Sequence, residues 1–174
     1  MTLAASSLRR MTLSPLRPPI DDVVLPHAKV LARRQQALVG GQCILLAGDD
    51  ATTRQAMSRQ LALLGWTCTV TTGGAQALQA WQQRPRAYWM VLVDLKLPPL
   101  NGFDLARMIR GHSSAGARVP ILSYAAMPSS GFAAQCLRAG IDECLPDPVR
   151  LPVLSEALAR WLPRGRIEPL PRCA

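Results

Sequence analysis

The sequence predicts an α/β protein, a doubly wound parallel sheet of five strands with helices on both faces. Three observations predict it. Short apolar runs alternate with segments of helical periodicity from residue 43 to residue 162, and the links between them are short. The most apolar run, YWMVLV at 88–93, lacks the in-and-out alternation of a one-sided strand, which suits a central parallel strand covered on both faces.

The elements follow in order. CILLA (43–47) is the first strand, and ATTRQAMSRQLALLG after it sets Ala56, Met57, Leu61 and Leu64 at helical spacing before Gly65 stops the helix. WTCTV (66–70) is the second strand, and GAQALQAWQQR (74–84) a helix with Ala77, Leu78 and Trp81 on one face. After the third strand, GFDLARMIRGH (102–112) reads as a helix, VPILSY (119–124) as a strand, SGFAAQCLRAG (130–140) as a helix, ECLP (143–146) as a strand and RLPVLSEALARWL (150–162) as a helix. Right-handed crossovers between parallel strands place the functional crevice beyond their carboxyl ends, where the strand order reverses. Asp94 closes the third strand, and Asp49 and Asp50 follow the first, so the carboxylates are expected at one edge.

A chain of 174 residues accommodates one domain with extensions. With 49% hydrophobic and 5% aromatic residues it has aliphatic material for a packed core, which excludes disorder throughout. Residues 1–41, with Pro15, Pro18, Pro19, Pro26 and the Gly40-Gly41 break, read as a flexible basic leader or linker holding at most a short strand and a frayed helix; residues 163–174 read as a flexible tail. The net charge of +9 divides as six basic and two acidic groups in 1–41 (+4), eleven and eight in 42–162 (+3), and three and one in 163–174 (+2). The central segment has no Lys/Arg run and no interleaved aromatics, so direct nucleic-acid binding is not expected. The five cysteines are odd in number and scattered, with no Cys-x-x-Cys, which suits reduced thiols. Arg9 and Arg10 interrupt any signal-peptide apolar stretch and no window approaches about 18 apolar residues, so a cytoplasmic location without a membrane span is expected.

Crowded carboxylates repel one another and call for a compensating cation, for which a hard divalent ion with oxygen ligands, Mg2+ above all, is the economical choice. An aspartate beside such a metal can also act as a nucleophile toward phosphorus and become an aspartyl phosphate. Taken alone, Asp49 and Asp50 read better as caps of the following helix.

CILLAGDDATTR, VLVDLKLPPLNG, VPILSYAA and GIDECLPDP, in this order and at these separations, resemble the receiver domain of two-component response regulators over residues 42–162, and the string from Asp94 to Gly102 is the most specific part. The resemblance implies a flavodoxin-like sheet, Mg2+ at the acidic edge, and transfer of a phosphoryl group from a histidine kinase or phosphotransfer protein onto the strand-three aspartate. It implies a phosphoacceptor signalling domain rather than an enzyme, with output to a downstream effector protein through the face of helix four, strand five and helix five, and it allows a homodimer. Carried over residue by residue, Asp94 is the acceptor; Asp49, Asp94 and the backbone carbonyl of Lys96 bind the metal; and Pro98, Gly102 and Pro148 shape loops. The Asp147-Pro148 peptide is of a kind commonly cis in the family. Arg54, five residues after Asp49, supports the register that leaves Gly48 where the family often has another acid; a shift by one would make Asp49 and Asp50 the acidic pair and Asp50 a ligand.

Three departures stand against the family pattern. Ala125 replaces the hydroxyl residue that ends strand four, and Ser123 lies on the same face a layer deeper. Asp147 replaces the lysine that pairs with the acceptor and the incoming phosphoryl group, and Gly48 removes an acid. Such degeneracy keeps open a second reading, a phosphorylation-independent pseudo-receiver that serves as an interaction module; the leader VVLPHAKVLARRQQALVGG is also similar to the join before the receiver of hybrid histidine kinases. A haloacid-dehalogenase-like phosphatase would want an acid two residues after its nucleophile, where this chain has Lys96. Tyr124 is expected in the core, the four tryptophans are expected to pack, and His27 and His112 are expected on the surface.

Overall fold

The computed structural model describes residues 43–112, 119–126 and 131–161. The leader, the tail, His27 and Cys173 lie outside the described residues. Five strands, β1 (Cys43–Ala47), β2 (Cys68–Thr71), β3 (Tyr88–Asp94), β4 (Ile121–Ala125) and β5 (Glu143–Pro146), alternate with five helices, α1 (Ala51–Leu63), α2 (Gly74–Gln83), α3 (Gly102–His112), α4 (Phe132–Ala139) and α5 (Leu151–Trp161). A short 3-10 turn at Pro85–Ala87, which the periodicity did not predict, leads into β3.

All strand pairings are parallel and the sheet order is β2-β1-β3-β4-β5. Alternation along each strand splits the core in two. Ile44, Leu46, Leu122 and Leu145 face Met57 and Leu61 of α1 and Leu154 and Leu158 of α5; Leu45, Val91, Val93 and Ile121 face Ala77 and Trp81 of α2, Leu105 and Ile109 of α3 and Cys136 of α4. β3, buried from Tyr88 to Val93, therefore has an apolar layer on each side, as its unbroken run of apolar residues requires.

Two strand starts differ from the sequence reading. β2 begins at Cys68 rather than at residue 66, because Trp66 instead packs against Trp89, with ring centroids 4.4 Å apart and the rings tilted by 45°. β4 begins at Ile121 rather than 119, since Pro120 has no N–H to give the ladder and serves it only through its carbonyl, which accepts from Val91 N at 2.9 Å. All four tryptophans are buried.

The amino ends of β4 and β5 carry two buried acids. Asp142 accepts from the Ile121 amide (2.8 Å) and pairs with Arg110 of α3 (2.6 Å). Glu143 pairs with Arg160 and accepts from the Trp161 indole N–H at the end of α5. A buried carboxylate is tolerable only with such partners.

Candidate functional site

The opposite end of the sheet is built differently. In the ladder, Ala47 stands beside Val93, Asp94 beside Tyr124 and Ala125 beside Pro146, so the β1–α1 turn, the end of β3 and the end of β5 converge. The Asp147 amide donates to Ala125 O at 3.0 Å. Asp49 and Asp94 thus share the carboxyl edge expected from the sequence, and the structure brings Asp147 to it as well.

Asp94 is half-buried, and its Oδ1 accepts from the Lys96 amide at 2.9 Å. Burial pushes its carboxyl above the usual range; the Lys96 N–H opposes this, the carboxylates of Asp49 and Asp147 add to it, and the Lys96 ammonium pulls the other way. Among the described residues none of the three aspartates has an arginine or lysine within salt-bridge distance. No group of three or more His, Cys, Asp or Glu side chains among the described residues is gathered closely enough to hold a metal by itself.

Asp50 stands apart. It is exposed and caps α1, its side chain accepting from the Thr53 amide, and that bond holds its carboxyl below the usual range. Arg54 reaches back one turn to donate to Gly48 O (2.8 Å) and Asp49 O (2.9 Å), which pins the β1–α1 turn while the Asp49 side chain stays exposed at the edge.

The β3–α3 loop carrying Lys96 and Pro98 is held by close backbone approaches. A Cβ on Gly102 would lie 2.5 Å from Asp94 O, and one on Gly74 would lie 2.1 Å from Leu100 O, so both positions exclude a side chain. The Asp147-Pro148 peptide is cis, as is Pro98-Pro99. Ala125 ends β4 without a hydroxyl, and Ser123 lies buried with its hydroxyl donating to Cys144 Sγ at 2.9 Å, so it is not brought to the edge.

Two features escaped the sequence reading. Tyr124 is buried as expected, yet its hydroxyl reaches the acidic edge, where it donates to Ala47 O at 3.3 Å. A Cβ on Gly48 would lie 2.6 Å from that oxygen, so the phenol occupies the space a side chain at 48 would need. Burial, then Asp94, Asp147 and Asp49, raise the phenol far above its ordinary value, which keeps it a neutral donor among the carboxylates. A polar aromatic next to the end of β4, together with a glycine just after β1, was the available signal. Gly74 was the other omission, and only its contact with Leu100 reveals it.

Residues 44–159 match the response regulator receiver domain. The sensor histidine kinase RcsC of Salmonella typhimurium is 32% identical over 123 residues, covering 71% of this chain and 12% of that protein. The hybrid signal transduction protein dokA of Dictyostelium discoideum is 31% identical over 119 residues, 68% of this chain and 7% of its relative, so the chain spans about a tenth of the length of such proteins. Among solved structures, the receiver domain of sensor histidine kinase PA1611 from Pseudomonas aeruginosa, with a magnesium ion coordinated in its active site cleft, is 33% identical with a TM-score of 0.64, covering 70% of this chain and 98% of that one. Sheet order, acidic edge and sequence agree, and the chain belongs to the response regulator receiver domain family.

Proposed function

We propose that this receiver accepts a phosphoryl group on Asp94, with Asp49, Asp94 and the Lys96 carbonyl as the protein ligands of Mg2+. The observation that carries the reading is the half-buried Asp94 at the end of the central strand, within the field of Asp49 and Asp147 and with no cation paired to it among the described residues. The donor set suits the ion: Mg2+ takes oxygen ligands, is usually held by one or two carboxylates, and keeps several waters, so a ready cage of three acids is not needed. When bound, the ion supplies charge neutralisation at the acidic edge and along the phosphoryl oxygens.

The chemistry asked of the chain is brief. An Asp94 carboxylate oxygen attacks phosphorus, and the bond from phosphorus to the donor's nitrogen or oxygen breaks. The Lys96 amide on Oδ1 orients the carboxylate. The Tyr124 hydroxyl stands at the same edge as a neutral donor. Asp147, where a cation would help, repels both acceptor and phosphoryl group, so transfer is expected to be slow.

In this reading the phosphoryl donor is a histidine kinase or phosphotransfer protein and the output is a downstream effector protein, with residues 1–41 as leader or linker and 163–174 as tail. The likeness to kinase receivers does not favour a phosphate-independent module. No helix among the described residues is long and apolar enough to cross a membrane. The test is labelling of the purified chain with acetyl phosphate, read by intact mass: a Mg2+-dependent phosphoryl adduct that Asp94→Asn abolishes supports the proposal, and labelling that survives Asp94→Asn overturns it.

A further inference from the structure

The buried face under α4 holds a second reactive group of side chains, separate from the acidic edge. Cys136 of α4 and Cys144 of β5 are both buried, and their sulfurs lie 2.9 Å apart. That is less than an ångström beyond the roughly 2.03–2.05 Å of a disulfide bond. The Ser123 hydroxyl donates to Cys144 Sγ at 2.9 Å from the neighbouring strand, where Ser123 and Cys144 stand side by side in the ladder. The turn between α4 and β5 is compact: the Ile141 amide donates to Cys136 O at 3.0 Å, and Gly140 closes the helix in the left-handed conformation at φ 81°. The backbone therefore holds the two sulfurs together. By contrast, Cys43 and Cys68 lie against the hydroxyls of Thr69 and Ser58.

We propose that Cys136 and Cys144 form a peroxide-oxidisable dithiol, a modification site that closes to a disulfide tying α4 to β5. Cys144 is the attacking sulfur, because it accepts from the Ser123 hydroxyl at 2.9 Å and also shares a hydrogen bond with the Cys136 sulfur, so two neighbours can stabilise its thiolate. Those bonds hold the Cys144 thiol below its usual range, against the opposing pull of burial. Its sulfur attacks one oxygen of hydrogen peroxide; the S–O bond forms, the O–O bond breaks, and the departing hydroxide leaves as water with the proton given up by Cys144. The sulfenic acid so formed is two electrons more oxidised than the thiol. Cys136 sulfur then attacks it, the S–S bond forms, the S–O bond breaks, and the hydroxyl leaves with the Cys136 proton as a second water. Two thiols and one peroxide give one disulfide and two waters. Peroxide, close to water in size, suits a buried pair better than a bulky disulfide reagent.

The experiment uses the full chain, fully reduced and freed of reductant, and treated with hydrogen peroxide. The expected result is the loss of two hydrogens by intact mass, reversed by dithiothreitol, with a non-reducing digest linking the peptide containing Cys136 to the one containing Cys144. Cys136→Ser is expected to stop at a sulfenic acid on Cys144 that dimedone traps. Should that variant fail to fold, the wild-type digest decides alone. A digest in which both thiols remain free while Cys43, Cys68 or Cys173 oxidises overturns the proposal. So does direct conversion of Cys144 to sulfinic or sulfonic acid with no disulfide.

Discussion

The two ends of the same sheet treat aspartate and glutamate in opposite ways. At the amino ends of β4 and β5, Asp142 and Glu143 are 4% and 1% exposed, and each has an arginine and a second donor. At the carboxyl ends, Asp49, Asp94 and Asp147 share an edge with no arginine or lysine paired to them among the described residues. The lesson lies in the compensation. Buried acids with fixed partners brace the fold, whereas acids left to repel one another store a demand for a cation and a nucleophile's reactivity. Where the family has a lysine at this edge, Asp147 deepens the contrast.

The contrast can be broken most severely at Asp94. Asp94→Asn is expected to abolish acetyl-phosphate labelling by intact mass while leaving the circular dichroism spectrum unchanged. Next in size, Arg160→Ala leaves Glu143 buried with, among the described residues, only the Trp161 indole as a donor, and is expected to lower unfolding free energy by roughly 3 kcal/mol in urea titrations. An equal loss at Arg107, whose partner Asp104 is exposed, would contradict the distinction between the buried and exposed pairs. Asp147→Lys converts repulsion into attraction at Asp94 and is expected to raise the labelling rate at fixed Mg2+ about tenfold, the equivalent of ~1.4 kcal/mol after screening; an unchanged rate would mean that Asp147 does not govern transfer.

Gly48→Asp is expected to destabilise by about 1–2 kcal/mol through its clash with Tyr124, and adding Tyr124→Leu should recover most of that, a non-additivity that urea titrations of the four proteins would read. The smallest effect concerns pH. Since the folded state raises the Asp94 carboxyl, its favourable contribution is complete below the unfolded value and is lost as pH rises through the folded one. Asp94→Asn should therefore melt slightly above wild type at neutral pH in metal-free buffer, and the gap should close near pH 3. A gap that widened on acidification would reverse the sign of the electrostatics at this edge.

Much of the fold was legible because its signals are local. The continuous apolar run of β3, the helical spacing of Met57 and Leu61 in α1, and Gly140 at the end of α4 each act within a few residues. The positions of Asp49 and Asp94 at the carboxyl edge were legible for the same reason, one lying just after a strand and the other closing one. The different settings of Asp49 and Asp50 were not, because a cap and a metal ligand call for the same side chain; in the structure Asp50 accepts from the Thr53 amide, while Arg54 donates to the carbonyls of Gly48 and Asp49. Ser123 illustrates the limit of alternation, which gave its face correctly but not its partner, Cys144.

By itself the sequence determined the alternation of strands and helices, the placing of Asp49 and Asp94 at one edge, and the lack of a strand-four hydroxyl at Ala125. Only the tertiary structure decided which groups neutralise, cap or crowd those side chains. Glu143 and Arg160 are 17 residues apart, Asp142 and Arg110 are 32 apart, and the Tyr124 hydroxyl meets the end of β1 across 77. Hydrogen bonds and steric exclusion act over a few ångströms in space, and across such separations in sequence no local periodicity encodes them.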